Sequence, residues 1–436
     1  MRLKLFTAAL SLAAVLAGCA TSNVAKRETR TEWIDSATGH RVVQLSREGG
    51  SESLYFNLNP FTPDGKKMVF GSPSGLATVD LATHAIEKIV TGEKIHVIMV
   101  GRKTGQIYFG KRTIEDGVTN RYVCAVDPQT KAVRQILKLV RGQEISAVNA
   151  DETLLAGTVV ERSDWGTNEF FDGGPNRLTD IERADAQRGK KGTMMEERLA
   201  KRYPMSLFFY NIATGDTKTV NRCNDWLGHL QFSPTDPTLL MFCHEGPWHK
   251  VDRIWTIRTD GTDLKLVHQR TLTMEIAGHE FWSADGQTIW YDLQTPRGQV
   301  FWLGGYEPAT GVRTWFSLQR DEWGVHFNVS PDGKLFSSDG GDEKMVAHAP
   351  DGKWLYLFRP ELIEDRSAGN VDTSKLIKAG VFHAEKLVDM GKHDYALEPN
   401  AMFSPDMKWL IFRSNMSGAN QCYAVELQKA GAAGNH

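Results

Sequence analysis

The chain has 436 residues, a formal net charge of -2 and 24% charged residues. That near balance excludes a global pull toward nucleic acid or an acidic membrane surface, and leaves function to a local site. Length alone allows about two or three domains, but the repeat described below argues for one large all-β unit.

The N-terminus reads as a targeting segment. Arg2 and Lys4 precede an apolar run from Leu5 to Leu16, and small residues lead up to Cys19. The run is shorter than the roughly 20 residues of a comfortable membrane span. Leu16-Ala17-Gly18-Cys19 resembles a bacterial lipobox, in which the cysteine becomes the lipidated first residue after cleavage. The expectation is a chain exported to the periplasm or lipid-anchored to a bacterial membrane through Cys19. Residues 1–19 are expected to form the signal, 20–30 a polar tether, 31–428 the folded domain and 429–436 a flexible tail. Four cysteines remain, Cys124, Cys223, Cys243 and Cys422, with no CxxC pair, which argues against a metal site built on thiolates and leaves any disulfide unassigned.

From there one phrase keeps returning: an apolar residue, then Ser/Thr/Ala-Pro-Asp-Gly or a variant, then a short β-rich run. It stands at Phe61-Thr62-Pro63-Asp64-Gly65, at Asn149-Ala150-Asp151-Glu152 and at Phe232-Ser233-Pro234-Thr235-Asp236. It recurs at Trp282-Ser283-Ala284-Asp285-Gly286, Val329-Ser330-Pro331-Asp332-Gly333 and Phe403-Ser404-Pro405-Asp406. Proline presets one turn dihedral and glycine permits the positive one, so each phrase predicts a hairpin. A second turn of the Asp80-Leu81-Ala82-Thr83 or Asn211-Ile212-Ala213-Thr214-Gly215 type follows in most units. Four strands per unit, with a divergent second unit over Val97 to Leu137, predict a seven-bladed β-propeller. Trp33 to Asp35 and Val42 to Leu45 are placed to close the last blade, made by Leu410 to Leu427. Asn176 to Arg202 is highly charged, with Met194, Met195 and Leu199 at helical spacing, and predicts a helical insertion in the third blade: either a solvated helix or a rim over the site.

Chemistry concentrates between Trp226 and Trp282, in Cys243-His244-Glu245-Gly246-Pro247-Trp248-His249-Lys250-Val251-Asp252-Arg253 and Gly278-His279-Glu280-Phe281-Trp282. Histidines packed this closely in turn-like sequence need water, a metal or a ligand for their ring nitrogens. His229, His279, His326 and the pair Glu398 and Asn400 each precede a turn phrase, so four blades offer polar side chains at one position of the repeat, where propellers converge on a central funnel. His326, Glu398 and Asn400 together suit a hard divalent ion, manganese, magnesium or calcium. His393 or Tyr395 could complete that set.

Asp225-Trp226-Leu227-Gly228-His229, Cys243-His244-Glu245-Gly246-Pro247, Val251-Asp252-Arg253-Ile254-Trp255 and His279-Glu280-Phe281-Trp282 are similar to the oligogalacturonate lyase family. Thr38-Gly39-His40-Arg41-Val42 and Tyr55-Phe56 also match, so the resemblance runs through the mature chain. It implies a seven-bladed propeller that cleaves short pectic oligosaccharides by β-elimination with a divalent metal, typically manganese. By the same resemblance His279 is the base, Arg253 the arginine that engages the substrate carboxylate and His326 a metal ligand. Where the family's best-studied form has a glutamine and a His-Pro-His, this chain reads Tyr395-Ala396-Leu397-Glu398-Pro399-Asn400, and Glu398 and Asn400 take the histidine places. His229 and His244 are expected to bind sugar, and His249 to be an exposed neighbour. The partner implied is an acidic oligosaccharide, with no nucleic acid. A non-catalytic propeller of the TolB type, binding sugar or protein, would fit the turn phrases equally well but gives no reason for His279, Arg253 and His326 on successive blades. A hydrolase would want paired carboxylates or a G-x-S-x-G elbow, and no such elbow occurs.

Overall fold

The computed structural model describes residues 31–161, 190–364 and 372–431. The targeting segment and tether, residues 176–189 of the expected insertion and the last five residues lie outside them. Hairpin follows hairpin because each turn phrase closes itself. In Ser330-Pro331-Asp332-Gly333 the Ser330 hydroxyl donates to the Asp332 carboxylate (2.6 Å), Asp332 accepts from the Lys334 amide (3.1 Å), and Gly333 sits at φ 73°. The same Ser-to-Asp bond recurs at Ser283 and Asp285 and at Ser404 and Asp406, both 2.5 Å. The outer turns use Asp80, Asp127 and Asn211 to accept two following amides each. Such side-chain to backbone bonds make the turn independent of what the strands pack against.

The hairpins build seven antiparallel blades. Blade 1 has Lys67–Ser72, Gly75–Asp80 and Ile86–Thr91, with Phe61 bridged to Met68 on its inner edge. Blade 2 runs from Ile95–Val100 to Val133–Leu139, blade 3 from Gln143–Val148 to Thr217–Cys223 and blade 4 from Trp226–Phe232 to Lys265–Leu266. Blade 5 spans Ile276–Trp282 to Arg313–Ser317, and blade 6 spans Asn328–Val329 to Lys378–Asp389. Their outer strands pair in parallel, Thr314 opposite Lys378, so these two blades share one sheet. Blade 7 is closed from the other end of the chain. His40–Gln44 pairs with Gln421–Lys429, Val42 opposite Val425, and Glu32–Ile34 adds one strand beyond it.

Between blades the inner faces pack as apolar layers. Phe301, Phe316, Phe327, Phe336, Phe358 and Phe382 fill the seam of blades 5 and 6, and Val42, Leu410, Phe412, Tyr423 and Val425 belong to the layer beside blade 7. The four remaining cysteines are free thiols. Helix Lys190–Lys201 lies between the second and third strands of blade 3. Its Met195 is buried, its Glu196 pairs with Lys250 at 2.7 Å, and its Arg198 lies over the Trp226 ring at 4.0 Å. The helix therefore rests on blade 4.

Candidate active site

The innermost strands carry a recurring irregularity. His229, His279, His326 and Asn400, each four residues before its turn serine, have φ of 49°, 49°, 50° and 54°. Register shifts fall between Gly228 and Gln231 and between Gly278 and Phe281. A left-handed residue inside a strand costs of order 1 kcal/mol and re-aims its side chain. Here it turns a polar residue out of four consecutive blades at one level of the funnel, a placement the apolar alternation of a regular strand would not give.

Two of these histidines meet. The rings of His279 and His326 are 4.5 Å apart, and each is anchored through Nδ1 to an aspartate of its own blade: His279 to Asp292, on the next strand, at 2.6 Å, and His326 to Asp339, one residue past the end of the next strand, at 2.7 Å. Anchoring at Nδ1 aims Nε2 the other way. Burial, with the negative Glu280 and Asp339 nearby, pushes the Asp292 carboxyl well above its ordinary range, which makes it a strong acceptor for the imidazole proton. Asp339 also accepts from the amides of Asn400 (2.8 Å) and Ala401 (2.7 Å), tying blade 6 to blade 7. His326 Nε2 is buried with no hydrogen-bond partner, and the Glu398 carboxylate stands 3.7 Å from it. Asn400 is buried beside them, its side-chain oxygen accepting from the Phe56 amide at 3.4 Å. An orphaned imidazole nitrogen, a half-exposed carboxylate and a carboxamide are a donor set that fits one hard divalent cation. His393 is not available to it, because its two ring nitrogens meet the Ser414 hydroxyl (2.9 Å) and the Leu397 carbonyl (2.7 Å). Tyr395 donates to the Asp339 carbonyl at 3.1 Å.

Beside this pair lies a charged knot. Arg253 is 2% exposed, its Nε donating to Glu280 (3.1 Å) and its Nη1 to Glu245 (3.3 Å). Burial opposes ionisation of Glu245, but Arg253 and His229 outweigh it and hold that carboxyl well below the usual range; Glu280 is lowered in the same way. His229 Nε2 is 2.7 Å from Glu245, and its Nδ1 is 3.8 Å from Glu280. Trp248 joins the two groups, with the Arg253 guanidinium 5.0 Å from its ring and the His279 ring 5.0 Å away edge-on. Gly278 permits this, since a Cβ there would come within 2.6 Å of the Trp248 ring. His279 and Arg253 thus both lie against the Trp248 ring. Tyr55 stands 5.3 Å from His326 and 6.3 Å from His229.

The structure brings together His279, His326, Glu398, Asn400, His229 and Arg253, and sets His244 apart. His244 follows Cys243 on the strand Leu239–Glu245 and faces away from Glu245; its ring stacks on Trp255 at 5.0 Å and its Nδ1 lies 3.5 Å from Asp225. With Cys223 and Asp225 it brings possible metal-ligating atoms within 4.8 Å of one another. Asp225 is taken by Arg202, however, and burial pushes the Cys223 thiol up, away from thiolate. Sequence reading missed Glu245, Glu280, Asp292 and Asp339. The two aspartates do leave a signal: each stands 13 residues after its histidine, in consecutive blades.

The family profile described as oligogalacturonate lyase matches residues 179–430, more than half of the chain. An oligogalacturonide lyase of Pectobacterium atrosepticum is 24% identical over 415 residues, covering 90% of this chain and 95% of that protein. An oligogalacturonate lyase of Dickeya dadantii is also 24% identical, over 410 residues, with the same shares covered. Among solved structures, an oligogalacturonate lyase in complex with manganese superposes with a TM-score of 0.69 at 23% identity, over 91% of this chain and 96% of that one. One from Vibrio parahaemolyticus gives 0.67 at 20% identity, with the same coverage. The structural likenesses establish the propeller fold, and the profile match carries the conclusion that this chain belongs to the oligogalacturonate lyase family.

Proposed function

We propose that this enzyme cleaves oligogalacturonate, or a closely related uronate oligomer, by β-elimination, with His279 as the base. The observation that carries the reading is the pair of imidazoles from adjacent blades, 4.5 Å apart and each locked at Nδ1 by its own aspartate. In the reaction the proton on the carbon alpha to the uronate carboxylate goes to His279 Nε2. The freed electron pair forms the double bond to C4, and the C4–O bond breaks with its electrons on the departing oxygen, which takes a proton from solvent. The proton gained by the imidazole is stabilised by the Asp292 carboxylate at Nδ1. In this reading Arg253, against the Trp248 ring beside His279, orients the uronate carboxylate. Trp248 and Phe56 flank His279 edge-on. A divalent cation held by His326, Glu398 and Asn400, manganese by analogy with the related lyase structure, offsets the substrate carboxylate charge when bound. His229 is read as a sugar-binding residue at the same level.

The test is incubation with digalacturonate and trigalacturonate, with and without chelator, following ultraviolet absorbance of the unsaturated product. His279→Ala is expected to lose roughly 100- to 10,000-fold in turnover while keeping its circular dichroism spectrum. Undiminished turnover in that variant removes the assigned role. Export with lipidation at Cys19 is part of the same reading, supported by Leu16-Ala17-Gly18-Cys19; a mature protein that retains Met1 would refute it.

A further inference from the structure

His279 and Arg253 come from different blades, His279 from the innermost strand of blade 5 and Arg253 from just ahead of Ile254–Arg258 in blade 4. Glu280, the residue after His279, spans the seam between them. It is fully buried, and its side chain reaches into blade 4, where Oε2 accepts from Arg253 Nε (3.1 Å) and Oε1 accepts from the Cys243 thiol (2.7 Å). Burial pushes that thiol well above its ordinary range, and Arg253 opposes this only in part, so the sulfur keeps its proton and donates.

The backbone of Glu280 is held as firmly as its side chain. Its carbonyl accepts from the side-chain amides of Gln231 in blade 4 (2.9 Å) and of Asn57 ahead of blade 1 (3.2 Å). Both bonds fall within the register shift between Gly278 and Phe281, where His279 takes its φ of 49° and turns its ring to Asp292. A bulge disrupts the ladder, and the two carboxamides satisfy the carbonyl there. A buried carboxylate and guanidinium are no general route to stability, since apolar residues of the same size pack as well. What the pair supplies is a direction: the planar fork of Arg253 is fixed 5.0 Å from the Trp248 ring, which His279 also meets.

Resting on the function proposed above, we infer that Glu280 is a positioning residue for the elimination: its side chain directs Arg253, and its backbone holds the bulge that presents His279. One residue thereby fixes the base and the carboxylate-binding arginine relative to each other across two blades. Cys243 supports it as a neutral donor, holding the carboxylate without drawing it away from Arg253 as a second cation would.

The experiment measures kcat/KM on digalacturonate for Glu280→Gln, Arg253→Lys and the double variant of the full-length enzyme. Glu280→Gln keeps the size of the side chain and removes its charge. It is expected to lower kcat/KM roughly 10- to 100-fold, but less than about threefold in the Arg253→Lys background, where no fork remains to direct. A merely structural role costs the same factor in both backgrounds; that result, or wild-type kcat/KM in Glu280→Gln, overturns the inference. If Glu280→Gln does not fold, or Arg253→Lys leaves no measurable turnover, Cys243 decides, because its substitution changes no charge. Cys243→Ala is expected to lose about three- to tenfold, and Cys243→Ser, whose hydroxyl donates in place of the thiol, to regain it. Equal activity of those two variants overturns the inference. Absence of wild-type turnover on every uronate oligomer defeats the proposed function instead. Calorimetric binding of digalacturonate then decides: weaker binding to Cys243→Ala than to Cys243→Ser supports the inference, and equal or undetectable binding overturns it.

Discussion

Glu245 illustrates how the charged knot is balanced. It is 7% exposed, yet Arg253 and His229 hold it ionised, its carboxyl well below the ordinary value of 4.5. A depressed folded-state value stabilises the protein above pH 4.5, and that stabilisation is lost as pH falls from 4.5 through the lower value. Glu245→Gln is therefore expected to lose stability less steeply with acid. It should also be less stable near about pH 7 by about 1–3 kcal/mol, because Arg253 keeps only part of its pairing. Urea unfolding between about pH 3 and 7 measures both, and an acid limb as steep as the wild type's would contradict the assignment. Glu398 acts at the other end of the site, 3.7 Å from an imidazole nitrogen that nothing else satisfies. Glu398→Ala should lower the manganese retained after dialysis by at least about tenfold. Unchanged metal content would take Glu398 out of the ligand set.

At the scale of the strand, the bulge decides which side chains reach the funnel. On Ile276–Trp282 the register shift between Gly278 and Phe281 swings His279 toward Asp292, and the missing side chain of Gly278 admits Trp248. Gly278→Ala puts a methyl 2.6 Å from the Trp248 ring, a rigid neighbour that cannot fold aside. The expected cost is about 1–3 kcal/mol, with a shift in tryptophan fluorescence and a loss of turnover as Trp248 moves off Arg253 and His279. Native stability and fluorescence in this variant would show that Trp248 is not held by that contact. The insertion helix works at the same scale: Met195 fastens it, and Arg198 over Trp226 lies close enough to Glu245 and Glu144 to feel both carboxylates.

For the whole molecule, the ring is joined by a strand from one terminus paired with one from the other. Val42 is fully buried opposite Val425 within the layer of Leu410, Phe412 and Tyr423. Val42→Asp buries an unpaired carboxylate at that seam and is expected to cost at least about 3 kcal/mol, read as a lower urea midpoint. A native midpoint would mean that blade 7 holds without its closing strand.

The turn phrases made the propeller legible without coordinates, because proline, aspartate and glycine act on their own backbone within four residues. The repeat position of His229, His279, His326 and Asn400 was legible for the same reason: four residues of fixed spacing separate each from its turn. The partners were not. Asp292, Asp339, Glu245 and Glu280 owe their roles to strand register and to contacts between blades, and in the sequence each is an ordinary acidic residue. His244 shows the converse, since it lies in the densest motif of the chain and a one-residue step along an alternating strand turns it away from Glu245. Local geometry is written in local residues; the pairing of an imidazole with a carboxylate, and the meeting of imidazoles from neighbouring blades, exist only once seven blades are held around a common axis.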